Sequence, residues 1–198
     1  MSAGGFTLFD TAIGRCGLAW GAAGLVAVQL PDPDERGLRS RLAARAPGLE
    51  TVSPPPFATD AILRIMRLFE GARDDLATVP LDMTGVPTFH RDVYALTRAI
   101  PPGATLTYGE VALRLGDAGL ARAVGQALGR NPFPIVVPCH RVMGAGGRFV
   151  GFTATGGVAT KRRMLEIEGA LAPQAPSLFP DLPLAAKPRS PKAARRIP

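Results

Sequence analysis

The apolar residues of this chain change their spacing near residue 30, and that change restricts the architecture more than any other feature. Up to that point they recur at every second position: Cys16, Leu18 and Trp20, then, past Gly21-Ala-Ala-Gly24, Val26, Val28 and Leu30. Such alternation turns one side of a strand into a core, and the glycine-bounded gap is a turn. Phe6 to Leu30 is therefore predicted to be a β-hairpin with one buried face. Cys16 falls inside the pattern and is expected to be a packed core thiol. Beyond residue 30 the spacing is helical. Glu35 to Ala46, rich in Arg, Leu and Ala, predicts a surface helix. Between Thr59 and Gly71, the residues Ile62, Ile65, Met66 and Phe69 sit at i, i+3, i+4 and i+7, and Gly71 ends the run. A turn-rich link, Asp82 to Pro87, follows, and the domain boundary is placed there. Residues 1–84 are expected to form an α/β domain, a small antiparallel sheet with helices, and residues 85–170 a mainly α domain.

In the second domain, Phe89, Val93, Leu96 and Ile100 mark one face of a helix that Pro101-Pro102-Gly103 stops. Thr107-Tyr-Gly-Glu110 fits a capping box and starts a short helix through Leu115. After the turn Gly116-Asp-Ala-Gly119, helical spacing resumes from Leu120 to Gly129 through Ala121, Val124 and Leu128. Two short helices joined by a glycine-containing turn describe a helix-turn-helix, here of a winged-helix-like kind. Asn131-Pro132 ends the second helix, and Pro134 to Pro138 is expected to be extended and buried. A last helix is predicted over Gly157 to Glu168, with Gly169 as its stop. Residues 171–198 turn Pro- and Ala-rich and then basic, and are expected to be a disordered tail.

The 23 Lys and Arg against 16 Asp and Glu leave a net charge of +7, which favours a polyanionic partner. Five of the positive residues lie in the tail between Lys187 and Arg196, so bulk charge alone does not separate a nucleic-acid binder from an ordinary protein with a basic tail. No apolar run approaches the roughly 18–20 residues of a membrane span, and no cationic segment followed by an apolar one opens the chain. The two cysteines are far apart and outside any C-x-x-C pair. A soluble, cytoplasmic, monomeric protein with free thiols is expected, without membrane association. The sulfur and imidazole groups, Cys16, His90, Cys139 and His140, lack zinc-ligand spacing, so neither a metal nor a cofactor is expected.

One stretch asks for chemistry: Val137-Pro-Cys-His-Arg-Val142, which sets half of the chain's cysteines beside half of its histidines. A free cysteine is most often a small buried hydrophobe. His140 and Arg141, however, are costly to bury unpaired, and both would favour the thiolate that makes cysteine a nucleophile. Cys139 is thus a candidate nucleophile and His140 its base, directly or through a water. The acid that orients His140 is either Glu166 or Glu168, and spacing does not choose between them.

The run Arg122-Ala-Val-Gly-Gln-Ala-Leu-Gly-Arg-Asn131-Pro-Phe-Pro-Ile-Val-Val-Pro138-Cys-His-Arg-Val142 closely resembles the O6-alkylguanine-DNA alkyltransferases, also called methylated-DNA–protein-cysteine methyltransferases. Ile100-Pro-Pro-Gly-Ala-Thr-Leu-Thr-Tyr-Gly-Glu-Val-Ala112 and Gly156-Gly-Val-Ala-Thr-Lys-Arg-Arg-Met-Leu-Glu-Ile-Glu-Gly169 are similar to further blocks of that family. The resemblance runs from about Phe89 to Gly169; in the first half only Phe9-Asp-Thr-Ala-Ile-Gly14 echoes it. It implies an α/β domain followed by a helical DNA-binding domain. It also implies that Cys139 takes the alkyl group from guanine O6 and keeps it in a single turnover without a cofactor. His140 would take the thiol proton through a water, Glu168 would hold His140 in its useful tautomer, and Glu166 would be a surface residue. Tyr108 matches the phenol that hydrogen-bonds the extruded base. The partner implied is double-stranded DNA containing alkylated guanine. Arg122 matches the arginine that fills the place of the flipped nucleotide, an extrusion that costs a few kcal/mol. Ala121, Ala123, Gly125 and Ala127 suit close approach to a narrow groove, and Thr107 and Arg130 join the DNA-binding candidates. Asn131 resembles the family's hinge residue, and Asn131, Val142, Phe152, Thr153 and Thr155 are pocket candidates beside Tyr108.

The chain departs from the family pattern at Phe152-Thr-Ala-Thr155, where about two extra residues lengthen the loop expected to line the base pocket. O4-alkylthymine enters only as an expectation from that longer loop. Position 163 is Arg where many relatives carry Trp. Arg141 is expected to tie the active-site turn to backbone carbonyls. The alternative is a non-catalytic protein that recognises alkylated DNA, and such a protein is expected to lack the cysteine. A Cys139–His140 hydrolase ranks lower, because adjacent strand residues point apart and no oxyanion hole is evident. A transcription factor built on the helix-turn-helix leaves the Cys-His pair unexplained.

Overall fold

The computed structural model describes residues 4–152 and 156–172. The chain opens with three antiparallel strands, β1 (Gly5–Thr11), β2 (Gly14–Gly21) and β3 (Gly24–Gln29), in the order β1-β2-β3. The single hairpin expected from the spacing is thus a three-stranded meander. The alternation breaks once. Trp20 pairs with Leu25 while Ala19 pairs with Ala27, so a bulge at Val26 shifts the phase of β3. Leu25 then shares a face with Val28, Leu30, Cys16, Leu18 and Trp20.

Both faces of the sheet are covered, not one. On the first lies α2 (Pro56–Phe69), through Ala58, Ala61, Ile62, Ile65, Leu68 and Phe69. Proline near its N-terminus suits a first turn whose N–H groups lack intrahelical partners. On the second face lies α1 (Glu35–Arg45), whose N-terminus is capped by Asp34 accepting from the Gly37 N–H at 2.7 Å. Leu38 and Leu42 of this otherwise surface-facing helix are buried, Leu42 in a cluster with Phe6, Ala19 and Ala27. The sheet edges are occupied as well: Val52 donates to the Phe6 carbonyl, and Leu25 exchanges hydrogen bonds with Pro80 and Asp82 of the linking segment.

The second half holds α3 (Thr88–Arg98), β4 (Leu106–Thr107), α4 (Tyr108–Arg114), α5 (Ala121–Gly129), β5 (Val142–Met143) and α6 (Gly157–Ile167). The capping box is present in full. Thr107 Oγ1 accepts from the Glu110 N–H, while the Glu110 carboxylate accepts from the Thr107 N–H and hydroxyl. A single 3-10 turn, Ala118–Leu120, joins α4 to α5. Val93, Val111, Val124, Leu128 and Phe133 fill the core between these helices, and the Tyr94 hydroxyl donates to the Ala127 carbonyl at 3.0 Å.

Residues Pro134 to Pro138 are buried as expected but are not extended. They form a turn, closed by Val137 N–H to the Phe133 carbonyl at 2.8 Å, with Ile135 at φ +76°. That conformation is unfavourable for a β-branched residue. It is sustained because Ile135 and Val136 enter the core built by the sheet and α2, where Met164 of α6 also packs. The two halves of the chain therefore share one core at the reactive segment, and Val28 of β3 donates to the Pro132 carbonyl at 2.8 Å.

Candidate active site

Cys139 opens a 3-10 turn, Cys139–Arg141, between that buried turn and β5. Its path is set by short local hydrogen bonds, Cys139 N–H to Val137 O at 2.8 Å and Arg141 N–H to Pro138 O at 2.9 Å. Asn131 staples the segment from inside, with Nδ2 donating to Val137 O at 2.8 Å and Oδ1 accepting from Phe133 N–H at 2.9 Å. β5 pairs in parallel with β4, Leu106 against Val142 and Thr107 against Met143. This short ladder brings Tyr108, at the start of α4, to the same place.

The result is a cavity of about 260 Å³ into which Cys139 opens, lined also by Tyr108, Asn131, Gly151 and Phe152. Val142 is not in its wall; the residue is buried in the helical core and its carbonyl accepts from Lys161 Nζ at 2.6 Å. Thr153 and Thr155 lie outside the described residues. The Tyr108 hydroxyl is 3.4 Å from the carbonyls of Val150 and Gly151.

Behind Cys139 is a buried ionic chain. His140 Nε2 lies 3.0 Å from Glu168 Oε1. Arg141 grips the same carboxylate through Nε and Nη2, both at 2.8 Å, and donates through Nη1 to the Ile100 carbonyl at 2.6 Å. Arg141 thus ties the turn to one carbonyl, as expected, and to a carboxylate besides. All three side chains are almost wholly buried. Burial alone would push the Glu168 carboxyl up, but the hydrogen bonds from His140 and Arg141 overcome it and bring the pKa down to about 2. Desolvation holds His140 below the usual histidine range against the pull of Glu168, so the ring is neutral at pH 7. Its Nδ1 is buried and meets no hydrogen-bond partner among the described residues. Glu166 is not the surface residue expected: it is largely buried, with Arg162 at 3.7 Å.

The thiol departs from expectation. His140 and Arg141 spend their polarity on Glu168, and burial pushes the Cys139 pKa up, with only partial relief from Asn131, Lys161 and nearby backbone N–H groups. Cys139 is therefore held mainly as the thiol at neutral pH and needs a base to react.

Around the cavity, Arg122 and Arg130 of the α5 region are exposed, and Ala121, Ala123 and Gly125 are partly so. A Cβ on Gly125 would rest 3.7 Å from the Tyr108 ring, in ordinary contact. Ala127 is fully buried in the helical core and cannot reach a groove. The Thr107 hydroxyl is engaged in its capping box. Arg163 is exposed.

Two contributions escaped the sequence. Lys161 is fully buried, with Nζ about 6 Å from the ring centres of Tyr108 and Phe152, and desolvation lowers its pKa. Its position on an apolar stripe of α6 was the available signal. The second is the far wall of the cavity, where Gln29, Leu30, Arg41, Ala44 and Arg45 come from the first half of the chain. No local pattern links those residues to Cys139.

A family model described as "6-O-methylguanine DNA methyltransferase, DNA binding domain" matches residues 88–170. The methylated-DNA–protein-cysteine methyltransferase of Methanothermobacter thermautotrophicus is 38% identical over 154 residues, covering 77% of this chain and 78% of the relative. The protein of the same name from Mycobacterium tuberculosis is 41% identical over 128 residues, 64% of this chain and 75% of the relative. Among solved structures, the M. tuberculosis O6-methylguanine methyltransferase superposes with a TM-score of 0.68 at 34% identity, covering 89% of this chain and 99% of that one. A structure of the M. tuberculosis protein in complex with DNA gives 0.63 at 33% identity, covering 83% and 92%. Among the described residues, no helix is long and apolar enough to cross a membrane.

Proposed function

This chain belongs to the methylated-DNA–protein-cysteine methyltransferase family, and from that premise we propose that Cys139 is the acceptor of one alkyl group from O6-alkylguanine in duplex DNA. The activity is direct repair by stoichiometric transfer. The observation that carries the assignment is the opening of Cys139 into a cavity large enough for a single base, backed by the buried His140–Glu168–Arg141 chain.

In the transfer step, the Cys139 sulfur forms a bond to the alkyl carbon while the carbon–O6 bond breaks, and the electron pair stays on guanine. The thiol proton passes through one water to His140 Nδ1, the ring nitrogen left unpaired by the Glu168 contact. Glu168 holds the proton on Nε2 and stabilises the imidazolium that forms. The Tyr108 hydroxyl hydrogen-bonds the departing base and supports its negative charge. The product is a thioether, a poor leaving group, so the protein is spent after one turnover. Since the reaction needs a nucleophile, a base and a bound purine, no cofactor enters it.

On this proposal residues 85–170 are the DNA-binding and catalytic unit, an extent supported by the family model, and residues 1–84 form an α/β support. The protein works as a cytoplasmic monomer. Arg122 fills the stack vacated by the flipped nucleotide, Ala121, Ala123 and Gly125 border the groove, and Arg130 contacts a phosphate. Asn131 and Phe152 help hold the base.

The decisive experiment is to mix the full chain with duplex DNA containing O6-methylguanine and record the intact mass. A gain of one methylene per chain is expected, mapped to Cys139 and abolished by Cys139→Ala. Several turnovers per chain, or modification at Cys16, would sink the mechanism.

A further inference from the structure

Arg45 ends α1, in the half of the chain that lacks the reactive cysteine, yet its guanidinium reaches the reactive segment. Nη1 lies 3.4 Å from the carbonyl of Asn131 and 3.5 Å from that of Val28. Both contacts are long, and among the described residues no carboxylate forms an ion pair with Arg45. Neighbouring Arg41, by contrast, meets Asp32 at 2.6 Å. Arg45 is an exposed residue overall and its guanidinium cannot shed its proton at working pH, so it keeps a full positive charge where α1 meets the reactive segment. Arg45 stands in the wall of the cavity that Cys139 opens into. The residue whose carbonyl it approaches, Asn131, is the one whose side chain staples the turn leading to Cys139.

We infer that Arg45 is a positioning residue for alkyl transfer: it steadies Asn131 from across the domain boundary and sets a positive charge in the wall of the thiol's cavity, favouring the thiolate. The inference rests on Cys139 being the nucleophile. Desolvation and Arg41 hold Arg45 below the ordinary arginine range, while Cys139 acts in the opposite direction; at Cys139 itself the larger influences are its own desolvation, Asn131 and Lys161. The other groups around Cys139 are Lys161 from α6, Asn131 after α5, Tyr108 from α4, Tyr94 from α3, His140 beside it in the chain and Arg41 in the same cavity wall. All of them remain when Arg45 alone is changed, so a difference between pH profiles isolates its contribution.

The test is the rate of Cys139 carbamidomethylation by iodoacetamide from pH 6 to 10.5, read by peptide mass in the full-length wild type, Arg45→Met and Arg45→Lys. Iodoacetamide is small, uncharged and unrelated to guanine, so the measurement does not depend on repair activity. Cys16, fully buried with its pKa pushed up to about 12, stays unlabelled while the fold holds and serves as the internal control. Arg45→Met is expected to slow labelling about three- to tenfold below the thiol's pKa and to converge with wild type at high pH. Arg45→Lys should recover most of the loss, and free O6-benzylguanine should show the same ranking. Superimposable profiles, or a uniform drop at every pH, would overturn the inference. So would a loss seen with duplex DNA alone, which would make Arg45 a phosphate contact. Failure of the alkyltransferase assignment has a different signature: wild-type Cys139 would react with iodoacetamide yet take no methyl from duplex DNA.

Discussion

Replacing Glu168 with Gln changes one charge at the centre of the buried network and almost nothing in volume. In the native protein this carboxylate accepts three hydrogen bonds of 2.8–3.0 Å, two from Arg141 and one from His140, with no exposure of its side chain. Its pKa falls from 4.5 to about 2 on folding, and at 1.36 kcal/mol per unit that shift corresponds to about 3 kcal/mol. Because the folded value lies below the unfolded one, the unfolded chain takes up the proton first as pH falls. The stabilisation is therefore complete above about pH 5 and drains away towards pH 2. An independent route gives a similar size: stranding one member of a buried ion pair costs roughly 3–5 kcal/mol, and Glu168→Gln strands Arg141. Urea unfolding at pH 7, followed through the fluorescence of the buried Trp20, should show a loss of about 3 kcal/mol. The acid-side decline between pH 5 and 2 should flatten accordingly. Arg141→Met with Glu168→Gln should cost clearly less than the two single changes added together. The Gln amide can also donate to His140 Nε2, which would put the ring proton on Nδ1 and slow alkylation of Cys139 by about a hundredfold or more. A loss under about 1 kcal/mol with an unchanged acid limb would refute the reasoning.

Three further outcomes are expected. Arg122→Ala should lower repair of duplex DNA at least tenfold more than reaction with free O6-benzylguanine, since only the duplex needs its stack refilled; equal losses would remove Arg122 from that role. Lys161→Met should leave stability at pH 7 within about 1 kcal/mol, because a desolvated charge is exchanged for an apolar chain. The folded Lys161 pKa is lowered, so the unfolded chain binds more protons below pH 10.5 and wild-type stability rises with pH there; the variant should lose that rise in urea melts at pH 7 and 10. Ile135→Ala keeps the left-handed backbone and forfeits the side chain that sustains it, so a loss of about 2–4 kcal/mol is expected in the same melts.

Much of this architecture was legible because it is written in local spacing. The 3.6-residue pattern of α2, the Thr107–Glu110 capping box, the glycine turn between α4 and α5 and the Gly169 stop each act within one or two turns of chain. The bulge at Val26 was hidden: skipping one residue in a ladder leaves no mark when both neighbours are apolar. The same ambiguity hid the turn at Ile135, because an apolar run between prolines suits a strand or a packed turn equally.

For the site, the chain itself determined that Cys139 and His140 are neighbours and that two acids stand on the last helix. Spacing left the choice between those acids open and the family resemblance pointed to Glu168; the tertiary structure turns Glu168 inward to His140 and Arg141. It also decided the state of the thiol. Adjacent His140 and Arg141 read as thiolate-stabilising, but the buried His140 is neutral, the Arg141 charge is consumed by Glu168, and desolvation then dominates at Cys139. The wall of the cavity was beyond local reach for the same reason: Arg45 and Asn131 are 86 positions apart and meet only because the strained turn is anchored in the core of the first half. Local sequence carries periodicity and chemistry, whereas charge compensation and desolvation depend on which distant groups arrive, and only folding brings them together.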